Sequence, residues 1–239
     1  MKITVINGTE KKGVTWHLKE LFLDPFRERA EITEFSLPAD GPGFCTGCMV
    51  CIQQGEHLCP GSSQVQKIAD ALAKADLIVM TSPAYVMHAS GAMKNLLDHL
   101  AYLWLPHRPR PEMFGKRAVI ITQCLGAGGK SAARDIRDSL SWWGISDISV
   151  FTDRLLSEVM WDRLPEKKRI SMTARIRRLS GRLSALDYDH PARTSPVVRI
   201  RFAFVRKMQQ SLHTADPSYV DGAWWATQKW LEKARPWKQ

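Results

Sequence analysis

Four of the five cysteines crowd into one short stretch, Cys45-x2-Cys48-x2-Cys51-x7-Cys59-Pro60, while Cys124 stands alone. Thiolates at such tight spacing can wrap a compact [4Fe–4S] cluster. A zinc ion could instead take four of Cys45, Cys48, Cys51, His57 and Cys59. A third reading leaves the loop unmetallated, as a packed Ω-like element. In a cytosolic chain such a group of cysteines reads as metal, cluster or redox chemistry before it reads as a disulfide, because reducing conditions keep thiols free.

A second segment offers what a terminal phosphate needs. Asn7-Gly8-Thr9-Glu10-Lys11-Lys12-Gly13-Val14-Thr15 follows a short apolar run and opens a helical stripe. It supplies backbone amides, two hydroxyls, two ammonium groups and a helix N-terminus. A plain strand–turn–helix connection has the same outline. The segment is neither GxGxxG nor GxxxxGK followed by Ser or Thr, so the usual dinucleotide and nucleoside-triphosphate fingerprints are absent. In Ser82-Pro83-Ala84-Tyr85-Val86-Met87-His88-Ala89-Ser90-Gly91, Pro83 fixes its own φ, and Tyr85 with its apolar neighbours can flank a planar ring. The plainer use of that loop is to seal a sheet edge. Gln123-Cys124-Leu125-Gly126-Ala127-Gly128-Gly129 lets backbone approach a ligand closely. Cys124 reads as a small buried residue, since no partner base is identifiable. His88 and His107 read as loop or surface residues. No Ser–His–Asp set or carboxylate pair stands out.

These loops need a frame. Strand patterns fall at 3–6, 32–35, 76–81, 117–123 and 147–152, and helical stripes at 14–22, 65–72, 93–104 and 136–143 lie between them. Five strands separated by four helices predict a parallel α/β sheet covered on both faces, doubly wound in an order such as 2-1-3-4-5. In such sheets ligands bind beyond the carboxyl ends of the strands, where the three loops above lie.

Together the loops resemble the flavodoxin-like NADPH-dependent FMN reductase family, with its iron–sulfur flavoprotein branch. Gly8, Thr9, Lys11, Gly13 and Thr15 are similar to its first loop. Ser82-Pro83-Ala84-Tyr85, then Ser90-Gly91-Ala92-Met93-Lys94 and Asp98, are similar to its second, the most specific part of the match. Thr9, Glu10 and Val14 depart from the commoner Ser, Pro and Asn. The cysteine run also resembles the branch's motif, in the family's place between second strand and second helix. The resemblance covers residues 1 to about 150. It implies FMN, with Thr9, Lys11, Gly13 and Thr15 on the phosphate and Pro83, Ala84, Tyr85, Val86, Gln123 and Gly126 on the ring. It implies Cys45, Cys48, Cys51 and Cys59 as ligands of a [4Fe–4S] cluster, and NAD(P)H as electron donor. No side chain need be catalytic, since FMN N5 accepts the hydride. The acceptor would be a small molecule or a redox protein. The alternative is an electron carrier that exchanges electrons with ferredoxin-like partners and has no nicotinamide site.

Charge divides the chain. Residues 1–153 hold 16 basic and 16 acidic side chains, so the net +10 of the whole chain falls entirely on residues 154–239. That shift suggests a domain over 1–153, with its cysteine loop at 45–59, and a basic helical extension over 154–239. Helical patterns there cover 172–186, 197–212 and 219–234. The apolar seam of Met172, Ile176, Leu179, Leu183 and Leu186, with Trp224, Trp225 and Trp230, is expected to join subunits, and the family resemblance implies a dimer or tetramer; the alternative is that these helices fold back onto the sheet of the same chain. Arg-rich helix faces are usually solvated, so no nucleic-acid or membrane-surface partner is expected. With 44% hydrophobic and 24% charged residues, disordered, collagen-like and disulfide-scaffold classes are excluded. No signal-like apolar stretch follows Met1-Lys2 and no run is long enough to span a bilayer, so a cytoplasmic protein is expected.

Overall fold

A computed structural model describes residues 1–238. The strands are β1 (Lys2–Asn7), β2 (Glu31–Ser36), β3 (Leu77–Tyr85), β4 (His88–Ala89), β5 (Arg117–Leu125) and β6 (Asp147–Leu155). The helices are α1 (Val14–Leu23), α2 (Val50–Gln53), α3 (Ser62–Lys74), α4 (Gly91–His99), α5 (Gly129–Trp142), α6 (Glu166–Ser184), α7 (Pro196–Ala215) and α8 (Val220–Thr227). The long strands run parallel in the order β2-β1-β3-β5-β6, the doubly wound arrangement expected. The order reverses between β1 and β3, which places a crevice at their carboxyl ends. The sixth strand, β4, is an addition: it folds back antiparallel on the end of β3.

Alternation along the strands divides the core. Ile6, Ile78, Met80, Ala118 and Ile120 face α3, α4 and α5, whereas Ile3, Val5, Leu77, Val79, Val119 and Ile121 face α1 and α6. One helix cannot cover a face five strands wide, and α6 supplies the missing half. The expected role of its seam is therefore corrected. Met172, Ile176 and Leu183 are buried against α1 and the sheet of the same chain, and the Ser180 hydroxyl donates to the Phe22 carbonyl. Trp225 and Trp230 are likewise fully buried within the chain, packed on Phe202 beside Phe114. The seam is narrow because it completes a layer that α1 begins.

Two helices are shorter than their apolar spacing suggests. α4 ends at His99, and a tighter 3-10 turn, Ala101–Leu103, follows, so Trp104 is not on the helix. α8 stops at Thr227, with Lys229 in the left-handed region at φ 57°. Among the described residues no helix is long and apolar enough to cross a membrane.

Candidate functional site

The three loops meet at the carboxyl ends of β1, β3 and β5. The Gly8 amide donates to the Thr81 carbonyl at 2.7 Å, and the Ser90 hydroxyl donates to the Gly8 carbonyl at 2.5 Å. A Cβ on Gly8 would lie 2.7 Å from that Thr81 oxygen, so only glycine allows the first loop to rest on the second. Ser90 also caps α4, its hydroxyl accepting from the Met93 amide. Pro83 pairs in register with Gln123, joining the second loop to the third. Gly128, at φ 99°, lies against Met87.

Within this frame each expected ligand residue has a definite place. Thr15 is buried in the first turn of α1, and its hydroxyl has no hydrogen-bond partner. Gln123 is buried too, and its Oε1 is likewise unpartnered. Lys11 is exposed, and Thr9 Oγ1 accepts from its amide at 3.2 Å. Pro83 is buried and Ala84 half-buried, whereas Tyr85, Val86 and Gly126 are exposed at the rim. The amides nearest Gly13 are engaged: Gly13 donates to the Lys11 carbonyl and Val14 to the Val159 carbonyl, both at 2.9 Å. The segment after β6 therefore reaches across the first loop, a contact absent from the sequence reading.

The tip of the second loop is a two-residue hairpin. Tyr85 pairs with His88, and the residues between them, Val86 and Met87, have φ of 49° and 70°. Positive φ at both positions is the demand of a type I′ turn, and a β-branched residue meets it at a cost. Asp135 of α5 braces the turn, accepting from the Ala89 amide at 2.9 Å and facing His88 Nδ1 at 3.1 Å.

Cys45, Cys48, Cys51 and Cys59 all line one cavity of about 290 Å³, with Phe44 and His99. The expected alternative ligand His57 is exposed and does not line it. Burial raises the Cys51 thiol above its ordinary value; Cys59, Cys45 and Cys48 add to this, and Arg108 opposes it. Among the described residues no three His, Cys, Asp or Glu side chains converge on a single ion. Zinc would draw its thiolates to about 2.3 Å from one point.

α4 connects the two regions. Its N-terminal cap holds the flanks of the first two loops. Four residues into the helix, Asn95 accepts from the Cys45 amide at 2.8 Å and donates to the Pro42 and Gly43 carbonyls at 3.1 Å. One turn further, His99 faces the Gly43 carbonyl with Nε2 at 3.0 Å and Cys59 Sγ with Nδ1 at 3.5 Å. Sequence reasoning missed Asn95 and His99. Their i, i+4 spacing on a helix directly after the second loop was the available signal. Cys124 is buried as expected.

The fold and site define a doubly wound α/β protein with a crevice at its β1–β3 switch point and a cysteine cavity beside it. The chain belongs to the NADPH-dependent FMN reductase family, whose model matches residues 1–152. An iron-sulfur flavoprotein of Archaeoglobus fulgidus is 27% identical over 139 residues, 58% of this chain and 59% of that protein. The NADPH azoreductase of Bacillus sp. (strain OY1-2) is 27% identical over 166 residues, 69% and 78% of the two chains. The chain thus spans about three-fifths of the length of the iron-sulfur flavoproteins it matches. The crystal structure of an azoreductase from Bacillus anthracis str. Sterne superposes with a TM-score of 0.58 at 12% identity, over 77% of this chain and 98% of that one, a likeness of fold.

Proposed function

We propose that the protein is an FMN-dependent oxidoreductase that takes electrons from NAD(P)H and passes them to a small acceptor or a redox partner. One observation carries this reading. Two buried polar atoms without partners, Thr15 Oγ1 and Gln123 Oε1, fall on two of the three loops gathered at the switch point. Buried polar atoms are ordinarily satisfied, so such a pair at a crevice fits a bound polar molecule. Family membership names a flavin mononucleotide as the molecule of that chemistry.

FMN, when bound, would supply a ring nitrogen that accepts one hydride, and could return the two electrons singly or together. The chain's own residues would hold it. Thr15 and Thr9 offer hydroxyls, and Lys11 an ammonium, to the phosphate at the N-terminus of α1. Pro83, Ala84, Tyr85 and Val86 would flank the ring, with Gln123 and Gly126 along its other border. The cysteine cavity fits a [4Fe–4S] cluster better than a single ion, because cluster thiolates bind separate irons and need not converge on one point. We read it as a second redox site on the route to the acceptor. The four cysteines also suit the alternative of an electron carrier with no nicotinamide site.

Anaerobic purification followed by absorbance, iron and acid-labile sulfide analysis, and mass spectrometry of the released flavin tests both sites together. FMN is expected; FAD or no flavin would sink the reading. Oxidation of NADH and NADPH with quinone, azo, flavin and ferredoxin acceptors separates reductase from carrier: a carrier turns over with neither nucleotide. Cys48→Ala is expected to abolish bound iron and leave FMN in place, because the two groups use different loops.

A further inference from the structure

Arg108 lies between the cysteine loop and the C-terminal helices, and its side chain is almost wholly buried. Nε donates to Glu56 Oε2 at 2.9 Å, Nη1 to the Ile52 carbonyl at 3.3 Å and to Asp221 Oδ1, and Nη2 to the Cys51 carbonyl. Asp221, in the first turn of α8, is fully buried. Its Oδ2 accepts from Tyr219 Oη and faces His107 Nδ1, both at 2.8 Å. Trp225 of α8 fixes the same stretch, donating to the His107 carbonyl at 2.8 Å.

The chemistry explains why these groups come together. A buried guanidinium needs its charge matched and its fork of donors filled, and Asp221 with Glu56 does the first. The rest of the fork goes to main chain at a particular place. Cys51 and Ile52 lie in the last turn of α2, whose carbonyls have no partners within the helix. α2 is only four residues long, far below the length at which a helix is stable alone. It begins after Met49 at φ 61° and gives way to Gly55 at φ 133°, so the chain on either side cannot extend it. A cation at a helix carboxyl end is also favoured by the local dipole.

We propose that Arg108 is a positioning residue of the cysteine site, capping α2 so that Cys51 lines the cavity, and that Asp221 makes the C-terminal helices part of that site by holding Arg108. The nature of what the cavity holds rests on the reading above; the strut itself does not. It gives the C-terminal extension a part in the site, with α8 acting as the backing of the cysteine loop.

The test uses the full chain with Asp221→Asn and Arg108→Lys, and Asp187→Asn at an exposed ion pair as control. In metal-free protein, amide hydrogen exchange at residues 50–55 is expected to quicken at least tenfold in Asp221→Asn while the sheet strands exchange as in wild type. After anaerobic reconstitution, iron and sulfide are expected to fall by half or more, with flavin retained and the visible circular dichroism per iron altered. Arg108→Lys keeps the charge but not the fork, and is expected to fail in the same way. Should Asp221→Asn not fold, Tyr219→Phe removes one donor to the carboxylate and is expected to give a smaller quickening at 50–55. Unchanged exchange there in a folded variant overturns the proposal. A wild type that takes up no iron, with exchange still quickened in the variant, sinks the cluster reading and leaves the strut standing.

Discussion

Single residues carry the sharpest expectations. The Thr15 hydroxyl is buried with nothing to bond, so a phosphate that satisfies it returns a hydrogen bond that Thr15→Ala cannot make. The substitution is expected to weaken FMN binding by about 1 kcal/mol, roughly fivefold in Kd, measured by fluorescence titration of the apoprotein. Unchanged affinity would move the phosphate elsewhere. Lys116 is the other telling residue. It is buried, donates to the Ala73 carbonyl at 2.7 Å and to the Ala75 carbonyl, and burial lowers its pKa from 10.5 to about 8 against the pull of Asp76 and Glu112. Between those values the unfolded chain keeps a proton that the folded chain has released, so this group makes stability rise with pH in that window. Below it both states are charged, and the slope vanishes. Urea unfolding from pH 7 to 9.5 is expected to show wild type gaining about 1–2 kcal/mol relative to Lys116→Met. A flat difference refutes the assignment.

At the level of elements, the hairpin after β3 shows where local sequence and structure disagree. Val86 is 94% exposed at φ 49°, so it holds a strained conformation without packing to offset it. Replacing Val86-Met87 by Asn-Gly supplies the residues a type I′ turn prefers. The pair is expected to raise stability by about 1–2 kcal/mol in urea unfolding of the apoprotein while weakening flavin binding, since the stiff apolar tip is lost. A loss of stability would show that the turn is not strained. The same hairpin marks the limit of what the sequence made legible. Local pattern revealed five strands, most plainly β3 and β5, whose buried residues form continuous apolar runs, and the handedness of crossovers suggested their order. β4 was invisible, since neither Val86 nor Met87 is a turn residue. Leu100 and Trp104 kept a helical spacing while the backbone tightened, which hid the end of α4. The candidate flavin loops were readable as contiguous segments with their own chemistry. The i, i+4 spacing of Asn95 and His99 could mark them as sharing a helix face, but their partners, like those of Arg108 and the Val159 carbonyl, lie dozens of positions away, and spacing along the chain does not identify them.

For the whole molecule, the question is whether residues 154–239 belong to this subunit's core or to its contacts with another. α6 lies on α1 and against β6, and Ile176 is fully buried between them. Phe22, Leu18 and Phe151 of the same cluster lie within residues 1–153, so the sheet has no finished surface on this face without α6. Large-to-small changes at such positions leave a cavity and cost about 2–5 kcal/mol. Ile176→Ala is therefore expected to lower the free energy of unfolding in urea by that amount, equally at low and at tenfold higher protein concentration. Sedimentation is expected to give the same mass for variant and wild type, because the lost contact lies within one chain. A variant of wild-type stability that sediments at a lower mass would return the seam to a subunit interface.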